Sequence, residues 1–435
     1  MVLLTIGLRF ALACLTLLSM NTFATGLPRE LFDYLASTQG QTQWEVSSEY
    51  PFGVASVTEL SLRSQLWRGI PWEHRLTVCV PSELAVEDVV VLLITGDANS
   101  EATLVGLGLA QRSGLRVAIL SDVPNQPLFE RREDALISYT FQRYLEEGDP
   151  DWPLLFPMTR AAVAAMEALE ELALSKWNTP LRGFVAAGAS KRGWTSYLTA
   201  AVVPEKVIGL APMVYDILNF PLQIEHQEEF WGALSSQISD YTQAGLTQAF
   251  VNSPAGVRLA WLVDPYTYRY AYTMPKLVIL GSNDAYWPVD AVNLYWPGLP
   301  EPKLLLVVPN SGHGLEDRER VLGSLAAFAR AVGEGWPLPR LEASYDLEPE
   351  GLRILVAAAE LAVEEARLWL AENVQRDFRT ARWRSQPLAG GAGAWEAQIP
   401  FKEGLYQAAF VEVEAEILGL RWYLSTPPRV LDPRS

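Results

Sequence analysis

The stretch Leu181-Arg182-Gly183-Phe184-Val185-Ala186-Ala187-Gly188-Ala189-Ser190-Lys191-Arg192-Gly193-Trp194 decides how this chain is read. An apolar run ends in a Gly-x-Ser-x-x-Gly turn, and a helix-forming segment follows over 194–203. Strand, tight turn and helix in that order make a nucleophile elbow, where strained backbone lifts a serine hydroxyl clear of a sheet. Gly188 and Gly193 carry no Cβ, so strand and helix can pass close together. Ser190 then sits at the positive end of the following helix, which favours a developing oxyanion. The structural alternative for the same residues is a strand-to-helix turn whose serine caps the helix. What lies on either side of the turn separates the two.

Upstream, 89–94 is a continuous apolar run (Val-Val-Val-Leu-Leu-Ile) that ends in Thr95-Gly96-Asp97-Ala98-Asn99. Runs of this kind are strands buried on both faces, as in a parallel sheet. Further strands are expected at 117–120, 207–214, 276–281 and 303–308, with helices at 104–112, 131–146, 159–175 and 316–332. This alternation predicts a doubly wound, mostly parallel α/β sheet. Before it, 56–67 and 74–80 read as antiparallel strands of a meander. Between 217 and 274 lies an aromatic-rich, partly helical insert, where a lid would cover the carboxyl edge of the sheet. Most of its aromatics are expected to pack the insert's own core.

Trp336-Pro337-Leu338-Pro339 breaks the pattern and reads as a linker. Six or more short alternating segments follow over 340–430, which suggests a β-sandwich of immunoglobulin or fibronectin type. The Ala/Glu-rich part, 357–373, leaves a helix open as an alternative there. At the other end, Arg9 precedes an apolar run over 10–20, and Thr22-Phe23-Ala24 offers small residues where signal peptidases cut. Residues 1–24 therefore read as a secretory signal peptide, 25–335 as the α/β domain and 340–430 as the sandwich. Cleavage leaves Cys79 as the one cysteine, so no intramolecular disulfide is expected.

The chain carries 34 Lys and Arg against 51 Asp and Glu, a formal charge of −17. Such a surface repels nucleic acid and anionic membranes. Three histidines and two cysteines leave little for a Cys/His metal site, so neither metal nor cofactor is expected.

A serine nucleophile needs a general base, usually histidine. His313, in Pro309-Asn310-Ser311-Gly312-His313-Gly314 just past the last parallel strand, is the candidate. His74 lies within a strand and reads as a surface or satisfied core residue. His226 stands among Glu225, Glu228 and Glu229 and reads as a solvated helical position. The orienting acid is expected to be Asp284, which follows the strand 276–281, with Asp216, one strand earlier, as competitor. Ser190, Asp284, His313 is the chain order of α/β-hydrolases. For the oxyanion hole, backbone N–H groups of Lys191 and of the 96–98 loop, with Asp97 at its centre, are the candidates. Trp194 and Trp287 are expected to shape the substrate pocket. The Lys191 and Arg192 side chains read either as surface charges or, if turned inward, as partners for a substrate oxygen.

Gly188-Ala189-Ser190-Lys191-Arg192-Gly193-Trp194-Thr195, Val214-Tyr215-Asp216-Ile217-Leu218-Asn219, Asp264-Pro265-Tyr266-Thr267-Tyr268-Arg269, Gly281-Ser282-Asn283-Asp284, Tyr295-Trp296-Pro297-Gly298-Leu299-Pro300 and Pro309-Asn310-Ser311-Gly312-His313 together resemble the PhoPQ-activated pathogenicity-related family. The resemblance implies an α/β-hydrolase domain, a C-terminal sandwich and export, and it supports Ser190, Asp284 and His313 as a triad. It implies no substrate. The sequence departs from the pattern at Thr95-Gly96-Asp97, where a second glycine is expected, and at Ala285-Tyr286-Trp287-Pro288, so the oxyanion loop and pocket shape differ. A looser likeness, confined to the elbow, runs to glucuronoyl esterases.

The expected function is that of an exported serine hydrolase cleaving an ester or amide, esterase ahead of peptidase, in the periplasm or outside the cell. Its partner is a small-molecule or peptide substrate; the oligomeric state is not legible. The competing expectation is a secreted binding or signalling protein that keeps the scaffold without turnover.

Overall fold

The computed structural model describes residues 26–433, apart from 392 and 418. The signal peptide expected over 1–24 lies outside the described residues. Helix α1 (Glu30–Ser37) leads into β1 (Gln43–Phe52), β2 (Ala55–Trp67) and β3 (Ile70–Val80). Then come β4 (Val89–Ile94), α2 (Ser100–Ser113), β5 (Arg116–Leu120), α3 (Glu133–Glu147), α4 (Leu155–Leu172), β6 (Gly183–Ala189), α5 (Lys191–Val202) and β7 (Val207–Met213). The insert supplies α6 (Phe220–Trp231), α7 (Ser239–Gln243), α8 (Leu246–Asn252) and α9 (Pro254–Val263). β8 (Lys276–Gly281), β9 (Lys303–Val308) and α10 (Arg318–Glu334) complete the unit.

The nine strands form one sheet in the order β1-β2-β3-β5-β4-β6-β7-β8-β9. The first three pair antiparallel, β3 meets β5 antiparallel, and β5-β4-β6-β7-β8-β9 are parallel throughout. Every residue of β4, β5 and β8 is buried. The reason is visible in the two cores. Leu155, Leu169 and Leu198 of α4 and α5 cover one face of the sheet; Leu107 and Leu109 of α2 with Leu325 and Phe328 of α10 cover the other. This is the α/β-hydrolase fold, with the insert of α6–α9 lying between β7 and β8 where a lid was expected.

Beyond 336–339 the chain is all β. β10 (Arg340–Glu348), β11 (Gly351–Ala359), β12 (Val363–Asn373), β13 (Arg384–Pro387), β14 (Gly390–Gly391), β15 (Ala394–Pro400), β16 (Tyr406–Ile417), β17 (Leu420–Ser425) and β18 (Arg429–Leu431) make two antiparallel sheets. Leu352, Ile354 and Ile399 of one sheet meet Leu368, Ala409 and Val411 of the other, as in a β-sandwich. The helix left open over 357–373 does not form. β12 pairs with β16 from Val363 to Asn373 and buries Ala366, Leu368 and Ala371. That pairing overrides the weak helical preference of Ala and Glu. Neither β1 nor β10 was legible in the sequence, because both lie at sheet edges and expose most of their side chains.

The sandwich is bound to the hydrolase unit by charge as well as by packing. Glu412, fully buried in β16, accepts from Arg320 Nε of α10 at 2.9 Å. Among the described residues no helix is long and apolar enough to cross a membrane.

β6 and α5 cross closely, with backbone against backbone. A Cβ on Gly188 would stand 2.5 Å from the Arg192 carbonyl oxygen, and one on Gly193 would stand 3.0 Å from that of Gly188. Both obstacles are backbone, which cannot swing aside as a side chain does. Gly188→Ala is therefore expected to lose about 1–3 kcal/mol, as overpacked sites do. Equilibrium urea unfolding measures it; a midpoint equal to wild type would mean that strand and helix separate without cost.

Candidate active site

Ser190 occupies the turn between β6 and α5 with φ 57° and ψ −129°. A non-glycine residue held there carries strain on the order of 1–3 kcal/mol. The backbone is pinned on both sides: Ser190 N–H donates to Met213 O at 2.8 Å, and Ser190 O accepts from Trp194 N–H at 3.0 Å. The serine stands at the N-cap position, yet its side chain makes no capping hydrogen bond. A capping serine is thus not what the strained turn provides; the hydroxyl is left to the cavity it lines.

His313 and Asp284 come together although 29 residues separate them. His313 Nδ1 and Asp284 Oδ2 are 2.8 Å apart, with side chains 27% and 12% exposed. The acid is itself held in a turn, where Asp284 Oδ1 accepts from Tyr286 N–H at 2.9 Å. Tyr286 then lies flat against the imidazole, ring centroids 4.1 Å apart at 28°. That ring was not anticipated, although the departure at 285–288 had marked the stretch as unusual. Burial, reinforced by the charges of Asp134 and Asp284, pushes the Tyr286 phenol up to about 12. The outer nitrogen, His313 Nε2, is buried with no hydrogen-bond partner, and both His313 and Ser190 line one cavity.

Asp216 does not partner the histidine. Its carboxyl is buried and its Oδ1 has no hydrogen-bond partner. Burial pushes the group well above the usual carboxylate range, and the neighbouring charges of Asp284 and Asp290 push the same way. Of the two candidate acids, the one that bonds to the imidazole is Asp284.

Of the oxyanion candidates, Lys191 opens α5, so its N–H has no intrahelical acceptor. The 96–98 loop is not brought to the cavity. Asp97 is exposed and pairs its side chain with Arg132. Ala98 N–H is committed to Asp122 Oδ1 at 3.0 Å. Gly96 faces the Arg192 guanidinium, 2.7 Å from where a Cβ would be.

Lys191 and Arg192 are not surface charges. Lys191 Nζ lies 2.9 Å from Glu133 Oε2 and 3.3 Å from Asp134 Oδ2, and Arg192 grips Glu133 with both terminal nitrogens at 2.7 Å. Arg192 Nε also donates to Val123 O at 2.6 Å. Burial works against the charge on Glu133, but these two cations outweigh it and hold the carboxyl well below the usual range. The basic pair after Ser190 therefore anchors the elbow to α3, and its charge is answered within the protein.

The cavity beside Ser190 is apolar. Trp194 and Trp287 line it, with Phe220, Ile224, Ile238 and Phe250 among the residues that close it. Trp194 stacks on Tyr215, centroids 5.3 Å apart, and its Nε1 donates to Val263 O at 2.6 Å. The space open to the centre of a water-sized molecule is about 60 Å³. Tyr241 of the insert reaches Asp134 Oδ1 at 3.0 Å, so the insert forms the roof. Phe220, Tyr241 and Phe250 thus belong to the cavity, whereas Phe230 and Trp231 meet Arg376 and Arg379 rather than packing only within the insert.

The other two histidines lie outside the cavity. His74 is a satisfied core residue, bonded to Ser64 Oγ at 2.9 Å and Asp122 O at 3.0 Å; burial pushes it down to about 4. His226 is not solvated. Its side chain is 18% exposed and bonds to Asp290 Oδ1 at 2.8 Å, because α6 lies against the 282–290 loop instead of facing water. Among the described residues no group of three or more His, Cys, Asp or Glu is placed to hold a metal ion.

A family model described as PhoPQ-activated pathogenicity-related protein matches residues 31–379. Autocrine proliferation repressor protein A of Dictyostelium discoideum is 30% identical over 395 residues, covering 84% of this chain and 79% of that protein. Among solved structures, acetyl xylan esterase 1 from Thermoanaerobacterium is 14% identical, covering 70% of this chain and 94% of its own, with a TM-score of 0.47. An S-formylglutathione hydrolase from Agrobacterium tumefaciens is 15% identical, covering 67% and 99%, with a TM-score of 0.44.

The two acids separate by experiment. Asp284→Asn should slow phosphonylation of Ser190 by about 10⁴-fold, the loss seen when a triad acid is neutralised. Asp216→Asn should slow it far less. Rate constants with a fluorophosphonate measure both; equal losses would deny Asp284 its separate role.

Proposed function

The chain belongs to the PhoPQ-activated pathogenicity-related family, and from that premise and the geometry of the cavity we propose that it is an exported serine hydrolase. Ser190 Oγ attacks an ester or amide carbonyl while His313 Nε2 takes its proton, and Asp284 holds the imidazole in the tautomer that leaves Nε2 free to accept. The proton passes to the leaving alcohol or amine as the acyl bond to it breaks. Water then releases the acyl group from Ser190 by the same steps in reverse order of roles. The observation that carries this reading is the 2.8 Å bond between His313 and Asp284 at a cavity shared with a strained, uncapping serine. Export rests on the leader read in residues 1–24.

The surroundings narrow the substrate. Lys191 is neutralised by Glu133 and Asp134, so nothing at the elbow calls for a carboxylate on the substrate. About 60 Å³ of apolar space holds a few heavy atoms, given that one water needs roughly 10–15 Å³ by the same measure. A short, neutral acyl group fits. The small apolar cavity suits an ester ahead of a peptide.

A second reading, a secreted binding or signalling protein without turnover, has two observations in its favour. His313 Nε2 has no hydrogen-bond partner, although catalytic hydrogen bonds are often long before substrate arrives. The Dictyostelium discoideum relative is named for autocrine repression of proliferation, not for hydrolysis.

A fluorophosphonate probe is expected to label the mature wild-type chain and not Ser190→Ala; equal labelling of both would end the hydrolase reading. Across p-nitrophenyl esters from acetate to octanoate, kcat/KM should fall at least tenfold by octanoate, since extra methylenes that do not fit each cost about 1 kcal/mol or more. A rate that rises with chain length would contradict the short acyl pocket.

A further inference from the structure

The link between β12 and β13, residues 374–383 of the sandwich, touches the hydrolase unit at the two loops that carry the acid and the base. Asn283, the residue before Asp284, donates through Nδ2 to Ala381 O at 2.7 Å, Phe378 O at 3.0 Å and Arg379 O at 3.3 Å. Asn310, three residues before His313, donates from Nδ2 to Trp383 O at 3.1 Å and accepts from Trp383 N–H at 2.8 Å. The two asparagines are also joined to each other. Ser282 Oγ donates to Asn283 Oδ1 at 2.6 Å and accepts from Asn310 N–H at 2.8 Å, and Asn283 N–H donates to Ser311 O at 2.9 Å. Asn310 sits at φ 55°, a left-handed conformation that asparagine tolerates better than most residues.

The same link reaches the roof of the cavity. The Arg376 guanidinium lies 4.5 Å from the Phe230 ring centroid and that of Arg379 lies 4.2 Å from the Trp231 ring, both on α6. From α6, Gln227 Nε2 donates to Tyr286 O at 2.7 Å, and Ser235 Oγ, just beyond α6, donates to Ala285 O at 2.7 Å. The 282–290 loop is thus held from both sides, by the insert and by the sandwich. Anchoring of the link is firm, since Phe378 and Trp383 are each 2% exposed.

We propose that Asn283 and Asn310 are positioning residues through which the 374–383 link of the sandwich fixes the Asp284–His313 pair, so that the C-terminal domain completes the active site of the hydrolase unit. This rests on the hydrolase reading above. Neither asparagine touches substrate; each acts through the residue that does. A side-chain amide is suited to the task because it holds two N–H donors and an acceptor oxygen within one rigid plane, and here it meets the backbone of the link between two strands.

Asn283→Ala and Asn310→Gly in the full mature chain test this. Glycine keeps the left-handed backbone at 310 while removing the two bonds to Trp383. Each variant is expected to lower the fluorophosphonate labelling rate at least tenfold, with kcat for p-nitrophenyl acetate falling and KM little changed. The second readout is the imidazole NMR spectrum, which three histidines keep simple. The His313 signals should move while those of His74, bonded to Ser64 and Asp122 away from this loop, stay in place. Labelling at the wild-type rate, or an equal shift of all three histidines, would overturn the proposal. If wild type itself is not labelled above Ser190→Ala, the hydrolase reading fails; its His313 signal would then still report whether the link positions the ring.

Discussion

One 2.8 Å hydrogen bond, His313 Nδ1 to Asp284 Oδ2, joins two loops that leave adjacent strands at the carboxyl edge of the sheet. Everything at the site depends on their staying in step. β8 and β9 pair in parallel register from Lys276 to Gly281 and from Lys303 to Val308, so both chains exit at the same height. β6 exits at that edge two strands away, and the backbone strain at Ser190 turns its hydroxyl to the same cavity. The sheet supplies the common edge, and the turns after each strand supply the geometry. Strain at Ser190 is held in place by the close crossing at Gly188, where two backbones leave no room for a Cβ.

Charge around the elbow is arranged inwardly. A lysine and an arginine follow Ser190, and in an open site they would draw anions. Here Glu133 and Asp134 answer both, so the pair acts as a clamp between α5 and α3. The protein is acidic overall, and its cavity is apolar with its cations neutralised. Both features disfavour anionic ligands, and they agree with a neutral acyl substrate.

Much of this was legible in the sequence. The continuous apolar run 89–94 corresponds residue for residue to β4, because that strand, buried on both faces, has no polar position to blur its ends. The glycines at 188 and 193 and the chain order of Ser190, Asp284 and His313 pointed to the elbow and to the acid that bonds the imidazole. What escaped depended on partners far off in the chain. Nothing near His226 announces Asp290, and nothing near Asn283 announces the carbonyls of 378–381. The strands β1 and β10 escaped for a different reason, since edge positions show no buried alternation. Lys191 and Arg192 carry the charges of surface residues, and only the tertiary approach of α3 buries them.

The most direct measurement is a crystal structure of the mature chain after reaction with a phosphonate ester. The expected result is tetrahedral phosphorus bonded to Ser190 Oγ, with one oxygen on the Lys191 N–H, His313 Nε2 within hydrogen-bond distance, and Asp284 still on Nδ1. An unmodified Ser190 after exhaustive treatment, or a His313 ring turned away from the adduct, would contradict the triad.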